Sequence, residues 1–427
     1  MKRSILLLTG AVMLLSATAS AKVRVTKYAI TIDEPANEQN AAAALAEFRK
    51  TGGKNPSFTL AQCDDDGLAA VVKTFPTITK LTIRKSPKLT SVDALKTLPL
   101  VSLELKSLPA VADLAPLAAL TKLQTLKIDE VGFRNPDLSF CAGMTGLSQF
   151  ELRKFSTSLK SIGGIEKCAR IRQLTISHNV GPLDLAPLAG FKTLKRLSLT
   201  YVSALDLAPV AQMPELTDLS LYGSKNLDLS PLSGCPKLKY IMIYATKGIK
   251  DYGDLAKIQT LETVNAGLTP MNDLSWAPQL PNLKRLDLFA ETFATFAPLA
   301  ECKKLEELTF WSMRAPVDIA QFADGVAPLR KLSVSGSAIV NEAKLASLAK
   351  NGKLISLNLS EINKGKKPVD LSFITSLTTL QEVDLRKGVF TNLDAVAQLP
   401  ALKKITLDKS QKPLLEGKLK NVRISAY

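Results

Sequence analysis

Aliphatic residues recur along this chain in one phrase, L-x-x-L-x-L, as at Leu194, Leu197 and Leu199, at Leu216, Leu219 and Leu221, and at Leu283, Leu286 and Leu288. The phrase begins at Ile78 and runs to Leu402 with a mean step of about 23 residues. A degenerate copy precedes it at Phe58 to Leu60 and a shortened one follows at Leu419 to Ile424, so 16 to 17 coils are expected. Alternation of apolar and polar positions within each phrase predicts a short strand with one face buried. Between strands runs a second phrase, as in Leu183-Asp-Leu-Ala-Pro187-Leu188 and Leu205-Asp-Leu-Ala-Pro209-Val210. An aspartate that accepts orphan amides, followed by a proline suited to a first turn, predicts a short helical or 3₁₀ segment. One coil cannot bury its leucines alone. The coils must stack, and the 427 residues read as one solenoid rather than three globular domains.

This repeat resembles the bacterial leucine-rich repeat of the internalin type, whose unit joins L-x-x-L-x-L to an aspartate-proline-leucine turn. The resemblance covers residues 58 to 424. It implies an α/β leucine-rich-repeat solenoid, with a curved parallel sheet on the concave face and short helical segments on the convex face. It also implies a non-enzymatic binding module. The chain departs from the family at the usual asparagine three residues after the last strand leucine: Asn179 fits, but Ser86, Leu108, Val131, Phe155, Val202, Ser224 and Met313 stand at matching places. The immunoglobulin-like and wall-anchoring segments of many internalins are not recognised, so invasion roles are not carried over.

Residues 1–21 read as a signal peptide: Lys2-Arg3, an apolar run from Ile5 to Leu15, then Ala19-Ser20-Ala21. No cysteine follows the cleavage point. The mature protein is expected to be secreted or periplasmic, without an anchor and monomeric. Residues 22–55, with Val23, Val25, Ile30 and Ile32 and then Asn40 to Lys50, read as an N-terminal cap of strand plus short helix. The solenoid proper is placed at 56–416 and a closing strand at 417–427.

Composition narrows the chemistry. One histidine, His178, rules out the common multi-imidazole zinc sites and a second imidazole for catalysis. Alone, it reads as a surface polar residue. No phosphate-cradling glycine loop or nucleophile elbow is present. Cys63-Asp64-Asp65-Asp66-Gly67 lacks the alternate spacing of calcium loops and reads as a polar turn leading into a helix from Leu68 to Thr74. No catalytic residue, cofactor or metal is expected. Cys141, Cys168, Cys235 and Cys302 occupy core positions, and Cys141 with Cys168 is the one pairing between adjacent coils; Cys63 lies too early to align.

The outward columns of the strands carry the binding signal. At the third, fifth and seventh positions of the central coils stand Asp218, Tyr222, Tyr240, Met242, Tyr244, Arg285, Asp287, Phe289, Glu307 and Trp311, whereas the end coils place mostly charged and small polar residues there. Tyr222, Tyr240, Met242, Tyr244, Arg285, Phe289 and Trp311 are therefore the candidate binding patch. Net charge is +16, or about +14 without the leader, and many lysines fall just before or after the strand starts. Lys195, Lys237, Lys239, Lys284, Lys303, Lys304 and Arg330 are expected to form a basic rim that draws in an acidic partner. The expected partner is a protein. The alternatives are a glycan or anionic polymer, as in an adhesin-like surface protein, and a purely structural envelope role. Nucleic acid is not expected, because the aromatic patch is not interleaved with the basic rim.

Overall fold

The structure, a computed structural model, describes residues 23–134, 137–155, 159–179, 181–203, 205–326 and 328–427. The expected signal peptide lies outside the described residues. The chain divides into two compact units, one up to Ile171 and one from Arg172 onward.

In the first unit, β1 (Val23–Val25) and β2 (Ala29–Ile32) form an antiparallel pair, Val23 opposite Ile32. Helix α1 (Glu38–Lys50) follows, started by a reciprocal cap in which Asn37 and Asn40 each accept the other's backbone N–H at 2.9 Å. Strand β2 then pairs in parallel with β3 (Ser57–Ala61), so the expected cap elements are built into the sheet. Helix α2 (Asp65–Thr74) begins three residues before the expected Leu68 because Asp64 caps it, accepting from the Gly67 N–H at 2.9 Å. Asp65 accepts from the backbone of Thr90 and Ser91 in the next coil, at 2.8 and 3.0 Å. Strands β4 (Lys80–Arg84), β5 (Ser102–Leu108), β6 (Thr125–Val131) and β7 (Gln149–Arg153) continue in parallel.

The second unit adds β8 (Gln173–Ser177), β9 (Arg196–Thr200), β10 (Asp218–Ser220), β11 (Tyr240–Met242), β12 (Thr263–Gly267), β13 (Arg285–Phe289) and β14 (Glu307–Trp311). Two further pairs of short strands lie beyond the turns. They are β15 (Val317–Asp318) with β17 (Ile339–Val340), and β19 (Val369–Asp370) with β21 (Phe390–Thr391). The main sheet continues through β16 (Lys331–Ser333), β18 (Ser356–Asn358), β20 (Glu382–Asp384), β22 (Lys404–Leu407) and β23 (Arg423–Ala426).

Register is unstaggered: Leu197, Leu219, Ile241, Val264, Leu286, Leu308 and Leu332 stand side by side, all buried. Their neighbours Leu199, Leu221, Ile243, Ala266, Leu288 and Phe310 form a second buried column. The connecting segments start as the aspartate-proline phrase predicts: Asp184, Asp206 and Asp228 each accept the N–H two residues on at 2.9 Å, at the head of short helical turns such as Ala186–Gly190 and Ser230–Gly234.

The missing asparagine column has a substitute. Ser86, Ser224, Thr246 and Ser337 are buried there, and their hydroxyls bond the backbone of the preceding coil, as where Ser224 donates to the Leu199 carbonyl at 3.0 Å and Thr246 to that of Leu221 at 2.9 Å. Leu108, Val131, Phe155, Val202 and Met313 are buried at the same position without a polar group to offer. All five cysteines are free and buried. Cys141 and Cys168 are not bridged: the Cys168 thiol donates to the Cys141 carbonyl at 3.2 Å. Burial pushes the Cys168 and Cys302 thiols up to about 12, so neither is a thiolate nucleophile near neutral pH.

Candidate functional site: an aromatic row on the open face of the sheet

Just past the outward seventh position of the phrases that precede Leu402, the chain leaves the strand through one left-handed residue. In the second unit these are His178, Tyr201, Gly223, Ala245, Leu268, Ala290, Ser312, Gly336, Glu361 and Lys387, with φ between +49° and +66°. Only two are glycines, so side chains stand out from a position that costs roughly 1 kcal/mol for an L-residue. Their projection beside the seventh-position column builds the candidate site.

Rings from both columns form one row. His178 lies against Tyr201 with centroids 4.8 Å apart, Tyr201 meets Tyr222 edge-on at 5.2 Å, and Tyr222 stacks on Tyr244 at 5.3 Å. Tyr244 then meets Phe289, and Phe289 meets Trp311, both edge-on at 5.3 Å. Tyr244 and Phe289 are two coils apart, which at ~4.8 Å per strand leaves about 10 Å to close. Gly267 fills the intervening place, and a Cβ there would sit 2.3 Å from the Phe289 Cβ. Gly223 plays the same part under Tyr201, whose Cδ1 would meet an added Cβ at 2.5 Å. Two missing side chains therefore make a discontinuous column into a continuous row. The inner rings are half-buried, while the end rings are open: Tyr201 is 45% and Trp311 46% exposed.

The expected patch is partly regrouped. Tyr222, Tyr244, Phe289 and Trp311 are in the row; Tyr240, Met242 and Arg285 lie in the third- and fifth-position columns beside it. Met242 accepts a hydrogen bond from the Ser220 hydroxyl at 3.6 Å. Arg285 is engaged with Asp287 at 2.8 Å and Glu307 at 3.1 Å, and Glu307 with Lys331 at 2.6 Å. Burial raises the Tyr240 phenol, and the nearby Asp287 carboxylate adds to this. Tyr201 and His178 were not among the sequence candidates, because they stand at the eighth position.

The basic rim is partly neutralised. Lys239 and Lys284 both hold Glu262, at 2.7 and 2.8 Å, Lys237 holds Glu215, and Lys303 holds Glu301 at 3.0 Å. The two glutamates shared across coils are pulled below their ordinary range by these lysines. Lys304 donates to the Asn282 side chain at 3.0 Å, while Lys195 and Arg330 are exposed. Backbone bonds align Lys239, Glu262, Lys284, Glu306 and Arg330 in one column, so signs alternate along this stretch instead of adding up. Among the described residues no cluster of histidine, cysteine, aspartate or glutamate could hold a metal ion.

Similarity to known structures rests on this same stacking. The chain shares 22% identity with an internalin from Listeria monocytogenes (TM-score 0.56, covering 78% of this chain and 88% of that one). It shares 17% with a leucine-rich-repeat protein of Leptospira interrogans (TM-score 0.60, 86% and 89%). The fold is a leucine-rich-repeat solenoid. A third such solenoid, the functional domain of InlJ from Listeria monocytogenes, includes a cysteine ladder; its identity is 16% and its TM-score 0.51, over 80% of this chain and 70% of that one. Here Cys235 and Cys302 stand three coils apart, about 14 Å at the strand spacing, and make no such ladder. No family model and no curated protein matches the chain. At these identities the likeness carries the fold, and the ligand has to be argued from the surface.

Proposed function

We propose that this leucine-rich-repeat solenoid is a non-enzymatic binding module that takes a protein partner on the open face of its second unit. The observation that carries this is the aromatic row from Tyr201 to Trp311. Inward leucines already supply the core, so a row of five large rings facing outward is surplus to folding, and such rings are what binding hot spots are made of. Ring orientation favours protein over glycan. Most ring contacts in the row are edge-to-face or stacked on a neighbour, and His178 lies against the outer side of Tyr201, which leaves a free face chiefly at Trp311 rather than a series of platforms for sugars. The ends are five coils apart, about 24 Å at the strand spacing, which suits the span of a protein interface.

Export is part of the same reading. It rests on the basic, apolar and small-residue order of residues 1–21, and among the described residues no helix is long and apolar enough to cross a membrane. The test is capture from cell-envelope and extracellular material with the wild-type chain and with a Tyr222→Ala, Tyr244→Ala, Phe289→Ala, Trp311→Ala variant of unchanged circular dichroism. A protein lost at least tenfold in the variant is the expected result. Equal capture by both chains, released by moderate salt, would assign binding to the charged rim and overturn the proposal.

A further inference from the structure

One coil carries an insertion. From the buried turn position to the first residue of the outer short strand is two residues in the flanking coils, Ser337 to Ile339 and Gly388 to Phe390, but seven from Ile362 to Val369. The extra residues include Asn363-Lys364-Gly365-Lys366-Lys367, three lysines in five positions. In repeat solenoids, such insertions fall in loops on one face, where binding residues gather.

This loop is ordered by its neighbours. The Asn363 N–H donates to the Ser337 carbonyl at 3.0 Å, its side-chain oxygen accepts from the Ile339 N–H at 3.1 Å, and its amide nitrogen donates to the Lys367 carbonyl at 3.2 Å. Asn363 thus takes the place a paired strand would occupy beside β17. Asn363, Lys364 and Gly365 are all left-handed, with φ of 50°, 51° and 65°, and the Lys364 and Lys366 amides close turns onto Glu361 and Asn363 at 3.0 Å each. A non-glycine pair held in this region is strain that the neighbouring coil stabilises, a feature that concentrates at binding sites.

The loop borders a recess of about 300 Å³ lined by Ser312, Gly336, Glu361, Lys364 and Lys387. Four of these are the left-handed residues of successive coils, and Gly336 leaves the recess open, since a Cβ there would meet the Ser312 hydroxyl at 2.7 Å. The Glu361 carboxylate is already held by the Lys387 ammonium at 2.8 Å. Lys364, Lys366 and Lys367 are exposed and have no acidic partner among the described residues. Unlike the paired rim residues, this loop therefore carries three lysines without acidic partners in five positions, and the first of them, Lys364, lines the recess with the Ser312 hydroxyl. A carboxylate of single charge would use one lysine. A phosphate, with its higher charge and several acceptor oxygens, uses the set.

We propose that the 363–367 loop and its recess form a second binding site, for the phosphate groups of an anionic polymer or lipid, separate from the aromatic row. The test measures binding of soluble polyphosphate, and of phosphatidylglycerol and phosphatidylcholine vesicles, to the full chain in 150 mM salt. Variants are Lys364→Ala/Lys366→Ala/Lys367→Ala and, as a control of equal charge change at exposed lysines outside the rim, Lys192→Ala/Lys225→Ala/Lys247→Ala. The loop variant is expected to lose at least tenfold in affinity for polyphosphate, and the control less than twofold, with unfolding temperatures unchanged. Competition by phosphatidylglycerol vesicles but not by phosphatidylcholine extends the site to lipid headgroups; no competition restricts it to soluble polymer. Equal losses in the two variants show general charge attraction and overturn the proposal, as does an unaffected loop variant. The aromatic quadruple variant keeps full polyphosphate binding if the two sites are distinct.

Discussion

Gly267 shows how one residue sets the geometry of the site. Its missing side chain lets Phe289 lean back to Tyr244, so the row depends on an absence that no scan for aromatic residues reveals. Gly267→Val is expected to push Phe289 away and cost about 1–3 kcal/mol of stability through overpacking. Denaturant unfolding gives the stability, and the affinity of the captured partner should fall with it; an unaltered affinity would mean the row need not be continuous. Tyr201 and His178 escaped the sequence reading for a related reason. They occupy the eighth position, which a strict alternation of inward and outward residues would point inward, yet a left-handed backbone returns their rings to the row. A glycine at the neighbouring coil's equivalent position, Gly223, is the signal that could have found Tyr201. On the rim, lysines pair with glutamates of the neighbouring coil. Glu215 and Lys237, or Glu262 and Lys284, stand 22 residues apart, one coil, and reading acids at the repeat period exposes the pairing.

At the scale of the element, strands and turns were legible because each coil repeats the same physical need. The inward leucine columns and the aspartate-headed turns appear where the phrases put them, and the same turns predict an acid response. Asp228 is lowered to about 2, first by the Ser230 hydroxyl, then by its N–H and by Lys250. Asp370 is lowered first by the Ser372 hydroxyl and then by Asn392, Asp273 by the Ser275 hydroxyl, and Asp65, against its partial burial, by Thr90 and Ser91. A carboxylate with a depressed folded value adds stability above its ordinary range and loses it as pH falls through the folded value. Thermal unfolding should therefore be nearly flat down to about pH 5 and drop steeply between about pH 4 and pH 2. Glu291, raised by burial, acts with the opposite sign, its contribution present below the ordinary glutamate value and lost as pH rises. A midpoint that fell steadily from pH 7 to pH 5 would contradict this account of the turns.

For the whole molecule, periodicity decided the architecture and left the ligand open, since any sequence that repeats the inward leucines will stack. The proposed binding surfaces are departures from the repeat. The aromatic row, the two glycines that close it and the 363–367 insertion each break the pattern at one place. The first was visible as a composition change in the outward columns, whereas the insertion disappears in an average spacing of about 23 residues. The central claim, that the open face of the second unit is the binding surface, is tested most directly by hydrogen exchange on the chain with and without its captured partner. Protection is predicted in the strand ends and turns at 196–201, 218–223, 240–245, 285–290 and 307–312, with the helical turns at 186–190 and 230–234 unchanged. Protection confined to those helical turns, or spread evenly along the rim, would contradict it.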